Sequence, residues 1–488
     1  MTLRRWLALA LVLLGGVRAE AQGRVVPPPT EPTRKARVVP APGASQPRKP
    51  RPQAKPKATA TKPARSRAQV PVRTPVPAPA TPENRPPAAI PAPGGPGNDL
   101  SVTLITFGPG PVAFERFGHN ALWIHDGRRG TDVAYNWGLF SFDQPGFYRR
   151  FLTGDTKYWM AGEDAYAMVA AYHNAGRSIT LQKLNLSPAQ AYALREAVER
   201  NALEANKYYR YDYFRDNCST RLRDAVDRAV GGALRAATDT MRTALTYRGE
   251  SERLTEGDVP LQAGIDIALG RPADAPLSAW ESFFIPMRLR DAVRIVRIPG
   301  AYGEMVPLVA EERRMAPAAG APSVQESRTI PQHTRRNLIA GLVLAAVVML
   351  LRLLMRSQRW AAWLLALLGM AWSLLCGTLG VVLLLAWFAT KHVFWAQNEN
   401  LLLFSPLSLA LVALVPSAVL AGRAVRRARV VGALVAAMAL GALVLSQMPG
   451  GQPIRDVVAL ALPMHLALAW ALLLYLPRRS EPKPAPKR

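Results

Sequence analysis

The sequence predicts an α+β domain carried across a membrane and held there by an all-α bundle of transmembrane helices. Three observations predict it. The chain opens on an apolar export signal, residues 98–330 mix short alternating runs with amphipathic helical ones, and five long apolar runs follow from Leu338. At 488 residues and a net charge of +27 the chain resembles a nucleic-acid binder only until the charge is located. Residues 23–97 hold fourteen basic side chains against Glu31 and Glu83, and most of the remaining excess flanks apolar helices, so nucleic-acid binding is excluded as a reading.

In chain order, Arg4 and Arg5 precede the apolar run Trp6–Leu14, and Ala19-Glu20-Ala21 offers a small-x-small cleavage site, which assigns residues 1–21 as a signal peptide. Residues 22–97 are built from Pro, Ala, Lys, Arg and Thr. Such a segment buries too little apolar surface to offset the entropy of ordering, so it is expected to be a disordered linker. Its cations suit a solvated spacer, or contact with lipid headgroups or an anionic envelope polymer.

Order is expected from Asp99. Strands are predicted over Ser101–Phe107, His119–His125, Val133–Trp137 and Arg177–Leu184. Ser187-Pro188-Ala189-Gln190 is a helix start with an N-cap, a proline at N1 and a glutamine at N3, predicting a helix to about Asn201. A second helix is predicted from Asp216, with Leu222, Ala225, Val226 and Ala229 on one face and Gly231-Gly232 as its stop.

The five apolar runs lie near 338–355, 360–388, 401–421, 430–447 and 457–476. Each is expected to cross a hydrocarbon layer of roughly 30 Å. With the domain outside, Arg352, Arg356, Arg359, Arg423, Arg426, Arg427, Arg429 and the basic tail 477–488 all fall on the cytoplasmic side. The loops Lys391–Asn400 and Pro449–Asp456 then share the outer face with the domain, and Arg335 and Arg336 depart from the bias. The second run exceeds one span, which predicts a kink near Gly377 or Gly380 or an outward projection ending at Trp387.

Only Cys218 and Cys376 are present, and the expected topology puts them in different media. Cys376, inside an apolar run, reads as a small filler. Cys218 stands in Asp216-Asn217-Cys218-Ser219-Thr220, at the first turn of a predicted helix, where unpaired N–H groups and the helix dipole favour an anion. The expectation is a thiol drawn toward neutral pKa, with the same N–H groups over a tetrahedral oxyanion. The domain offers His119, His125 and His173 as bases. His119, 99 residues upstream at the start of a strand and preceded by Gly118, is the choice. Asn136 is the candidate for orienting the imidazole, with Tyr135 and His125 as rivals. No metal-ligand spacing such as HExxH and no phosphate-cradling glycine loop appears in the sequence, so no metal or other cofactor is expected.

Phe117-Gly118-His119-Asn120-Ala121, Tyr135-Asn136-Trp137-Gly138-Leu139-Phe140, Phe151-Leu152-Thr153-Gly154 and Tyr211–Arg221 resemble the periplasmic domain of the Lnb family, the lyso-form lipoprotein N-acyltransferases. The likeness continues through Trp280 and Phe284-Ile285-Pro286 to His392, Asn398–Leu402 and Pro406, in one order over about residues 100–410. The cationic linker is not part of that pattern. The resemblance implies a circularly permuted papain-like (NlpC/P60-like) domain in the periplasm on an inner-membrane bundle. It also implies an acyl-thioester on Cys218, loaded from a glycerolipid or lipoprotein ester and delivered to an amine. Asn217, Ser219, Tyr135, His392, Asn398 and Asn400 are the expected substrate-binding residues, and membrane lipids or lipoproteins the expected substrates. A cysteine hydrolase, either lipid esterase or peptide amidase, and a non-catalytic envelope scaffold are the alternatives.

Overall fold

The computed structural model describes residues 95–300 and 304–474. The expected signal peptide, most of the linker and the basic tail lie outside the described residues.

Nine strands are described: β1 Leu100–Phe107, β2 His119–Asp126, β3 Thr131–Leu139, β4 Tyr158–Asp164, β5 Ile179–Leu184, β6 Tyr208–Tyr209, β7 Arg297–Pro299, β8 Met305–Pro307 and β9 Val309–Met315. Seven form one antiparallel sheet in the order β6-β4-β3-β2-β1-β5-β9, while β7 and β8 pair separately. The four predicted strands are β1, β2, β3 and β5. β4, β6 and β9 were not foreseen.

Around the sheet lie α1 Phe147–Thr153, α2 Ala165–Asn174, α3 Pro188–Ala202, α4 Cys218–Ala229, α5 Ala233–Thr238, α6 Tyr247–Leu254, α7 Val259–Ala268, α8 Ala279–Ser282 and α9 Pro286–Ile295. Alternate side chains of a strand face opposite ways, and this sheet buries both faces. Val102, Leu104, Leu122, Ile124, Tyr135 and Trp137 pack against Leu194 and Val198 of α3, Leu222 and Val226 of α4, and Leu289 of α9. Ile105, Phe107, Ala121 and Ala134 face Ala165 and Met168 of α2. Ser187 and Gln190 make the expected capping box on α3, while α4 starts at Cys218, two residues after the expected Asp216, behind a capping box that Asn217 makes with Thr220.

The membrane part comprises α10 Thr334–Leu354, α11 Arg359–Ala389, α12 Ser408–Ala421, α13 Val425–Gln447 and α14 Arg455–Leu473. Four of these are long and apolar enough to cross a membrane by length and composition; α12 has only 14 residues. At 1.5 Å per residue α12 spans about 21 Å, short of the roughly 30 Å hydrocarbon layer. The expectation of five full spans therefore becomes four long helices and a short one. Its upstream stretch is instead the 3-10 turn Glu399–Leu402 and the loop to Ser408, which pack inside the bundle beside Cys376 and Leu383.

The domain rests on the bundle through the carbonyl end of α7. The last carbonyls of a helix have no partner within it. Here Asn400 donates to the Asp266 carbonyl at 3.0 Å, Asn398 to Ile267 and Ala268 at 2.8 and 3.0 Å, and Gln452 to Leu269 at 2.9 Å. His333 meets Gln262 at 2.8 Å, and Arg271 donates to the Gly450 carbonyl at 2.9 Å. The loops after α11 and α13 thus lie on the domain side of the bundle, as the charge distribution predicts. α11 is one continuous helix of 31 residues, about 46 Å long, and its surplus length carries its end to α1.

Candidate active site

Cys218 and His119 are drawn to the same end of the sheet because each occupies the first residue of its element, and the backbone N–H of Asn120, the residue after His119, faces the Cys218 sulfur. His119 begins β2 on the face that α2 covers, and Cys218 begins α4 on the other face. Their successors are joined: the Asn120 side chain donates to Ser219 Oγ at 3.1 Å, and Ser219 Oγ donates to the Phe283 carbonyl at 2.6 Å. Both Asn120 and Ser219 are fully buried, so this pairing locks strand start to helix start. The backbone N–H groups of Asn120, Ser219 and Cys218 face the sulfur.

Two glycines make the approach. Gly118, at φ +77°, turns the chain into β2 where an added Cβ would stand 2.6 Å from Met287 Sδ and 2.9 Å from the Phe107 carbonyl oxygen. Gly138, at φ +88°, lies two residues past the Ala121–Asn136 cross-strand pair, and an added Cβ there would stand 3.4 Å from Cys218 Cβ.

Phe107 and Tyr172, stacked on each other at 3.8 Å, lie together on one side of the imidazole with near-parallel rings at 6.2 and 6.1 Å, and the Asn136 side chain hydrogen-bonds it. Asn136 is buried and its Nδ2 has no partner among the described residues, so its Oδ1 is the atom that meets the ring and accepts the ring N–H. That fixes one nitrogen as donor and leaves the other with a lone pair. Of the candidate orienting groups the structure brings Asn136 to His119. Tyr135 points into the core on the opposite face of the sheet, and His125 is exposed and bonded to Asp132 at 3.0 Å.

Burial pushes the His119 pKa down to about 4, helped by the Arg177 charge and opposed by Asn136. Burial likewise pushes the Cys218 thiol up to about 11, against the pull of the surrounding backbone N–H groups and Arg177. The expectation of a thiol drawn toward neutrality by the helix dipole is corrected. Desolvation of a group only 8% exposed outweighs a dipole contribution of roughly 0.3 to 1 kcal/mol, so the resting pair is neutral. The expected oxyanion cradle narrows too, because Ser219 N–H and Thr220 N–H donate at 2.9 Å to Asn217 Oδ1, leaving Cys218 N–H and Asn120 N–H as its better candidates.

Arg177 is the site residue that the sequence reading missed. It is buried, its Nε donates to the Gly108 carbonyl at 2.7 Å, its guanidinium lies 4.8 Å from the Tyr172 ring centroid, and its Nη2 has no partner among the described residues. A lone arginine at a strand start gives no sequence signal; only the fold turns it toward the thiol. Its positive charge disfavours imidazolium and favours thiolate. Arg177→Gln is therefore expected to raise both pKa values, moving the acid limb of the kcat/KM profile to higher pH than in the unmodified protein. An unmoved acid limb would show that Arg177 does not act on His119.

The six expected substrate-binding residues have other partners. Asn217 caps α4 and donates to the Tyr213 and Phe284 carbonyls, Ser219 is spent on Phe283 and Asn120, and Tyr135 is a core residue. Asn398 and Asn400 are almost wholly buried on the carbonyls of α7, and His392 Nε2 meets the Phe151 carbonyl at 2.9 Å. These side chains build and dock the domain. Cys376 is buried in the bundle core, as a filler would be, and no cluster of metal-ligating side chains occurs among the described residues.

The chain matches the family model described as the Lnb N-terminal periplasmic domain over residues 96–247 and that described as the Lnb transmembrane domain over 334–475. No curated protein and no solved structure matches it.

Proposed function

The chain belongs to the Lnb family, with a periplasmic domain on an inner-membrane bundle, and from that premise we propose that it is a cysteine acyltransferase working at the outer face of the membrane. The observation that carries the reading is the placement of Cys218 at the head of α4, its sulfur against the N–H of Asn120, the residue that follows the Asn136-bonded His119. Histidine strand before cysteine helix is the order of a permuted papain-like domain, and the present order supports that assignment.

In the proposed reaction the Cys218 proton passes to the free nitrogen of His119 as the sulfur attacks the ester carbonyl carbon of a lipid or lipoprotein. The oxyanion faces the N–H groups at the helix start. Collapse breaks the ester C–O bond, and His119 returns the proton to the departing alcohol, which leaves as a lyso product. An amine then attacks the thioester carbonyl, the C–S bond breaks, and the amine's surplus proton returns to the sulfur through His119. A neutral resting pair suits this sequence, since charge appears only as the bond forms.

Supplying a vesicle-borne phospholipid with a labelled acyl chain together with an amine-terminated lipopeptide tests the reading. The label is expected to move to the amine. Label recovered only as free fatty acid would make the protein a hydrolase, and label left in place would remove the acyl-transfer reading.

A further inference from the structure

A row of aromatic rings leads away from the thiol. The Tyr211 ring lies 3.6 Å from the point where a Gly138 Cβ would stand, the same point that is 3.4 Å from Cys218 Cβ. Tyr211 stacks on Tyr158 at 4.3 Å, Tyr158 meets Phe140 at 5.0 Å, and Phe140 meets Phe147, the first residue of α1, at 5.8 Å.

The row ends at a face that water should not favour. In α1, Phe147 turns inward, while Tyr148, Phe151 and Leu152 share the outward stripe at i, i+3 and i+4 and are 59%, 47% and 41% exposed. Arg149 and Arg150 stand among them in sequence, the mix of aromatic and cationic side chains found on elements that lie in a lipid interface. The position of α1 agrees with that composition. Its carbonyl end is pinned to the end of the long helix α11: Lys391 N–H donates to the Thr153 carbonyl at 2.8 Å, and His392 reaches the Phe151 carbonyl at 2.9 Å. One turn before that junction stand Trp387 and Phe388, the latter 73% exposed. An apolar stripe continuous with the exposed end of a membrane helix, bearing arginines for phosphate, selects a phospholipid surface as its occupant.

We propose that the outer stripe of α1 lies in the lipid headgroup layer and that the ring row Phe147-Phe140-Tyr158-Tyr211 receives an acyl chain from that layer and guides its ester end to Cys218. This names the lipid-binding part of the acyl-transfer site and rests on that reading for its purpose, although the contact with lipid is independent of thiol chemistry. Rings in a row offer an apolar contact that tolerates chains of different length, and at Gly138 the last ring, Tyr211, and the Cys218 side chain come within van der Waals reach of the same point.

The test uses the full chain carrying Cys218→Ser, reconstituted in phosphatidylglycerol vesicles that contain a phospholipid with a diazirine on its acyl chain. After irradiation, adducts are mapped by peptide mass spectrometry. Adducts on Phe140, Tyr158 or Tyr211 are expected, and exchanging Tyr148, Phe151 and Leu152 together for serine, all exposed side chains, is expected to lower them by about tenfold or more. Adducts confined to the bundle, for example at Leu385 or Phe388, or confined to α1, would overturn the ring row as the path. Because the variant has no thiol, a positive map alongside an unmodified protein that never transfers acyl groups would remove the acyltransferase reading while leaving the lipid site standing.

Discussion

Exchanging Cys218 for serine is expected to lower acyl transfer by on the order of 10⁴-fold or more, the scale of nucleophile loss in enzymes whose residues act as a unit. The substitution is nearly isosteric at a position 8% exposed, so the domain should fold and insert as before. What changes is acidity. A buried thiol at about 11 is within reach of a neighbouring imidazole during attack, whereas a buried hydroxyl is not. Measured on membranes of equal protein content with a labelled lipid donor, turnover that persists at the unmodified level would assign the nucleophile elsewhere.

His119→Gln is expected to lower the acylation rate at neutral pH by roughly 10² to 10⁴-fold, the usual worth of a positioned general base. Glutamine can keep a hydrogen bond to Asn136 but cannot accept the thiol proton. The pH dependence separates this role from a structural one. With His119 near 4 and Cys218 near 11, the unmodified protein should hold a flat rate between those limits. In the variant the sulfur must ionise on its own, so the rate should climb about tenfold per pH unit through the alkaline range. A uniformly depressed, flat profile would mean that His119 only shapes the site.

Much of the scaffold was readable from residue pattern. Alternation marks β1, β2, β3 and β5, and Ser187, Pro188 and Gln190 announce α3 because each satisfies a specific orphan group of a helix start. β4 escaped because Tyr158–Asp164 mixes aromatic and acidic side chains around Gly162, and it is its pairing with β3, Tyr135 opposite Gly162, that shows it to be a strand. The short helix α12 escaped for a different reason: residues 401–407 are as apolar as a helix, but the chain spends them on a turn and loop against α11 before Ser408.

Cys218, His119 and Asn136 could be singled out as candidates from the sequence, since cysteine at a helix start and histidine at a strand start are local signals. Its electrostatics were not. Hydropathy of the segment around Cys218 says nothing of the covering by β3 and the Tyr211 ring that makes desolvation the largest influence on the sulfur. Arg177 and the ring row from Tyr211 to Phe147 are assembled from separate strands and loops, so no spacing in the chain announces them. The amides of Asn398 and Asn400 illustrate the reverse error. Polar residues in an interfacial loop suggest ligand binding, yet here they satisfy the carbonyl end of α7.

Intact-mass analysis of the full chain incubated with phospholipid vesicles and no amine acceptor tests the central claim most directly. The account predicts an added mass equal to one fatty acyl group, located on the peptide containing Cys218 and released by neutral hydroxylamine as a thioester would be. A chain that stays at its unmodified mass, or an acyl group found on another residue while Cys218 remains a free thiol, would contradict it.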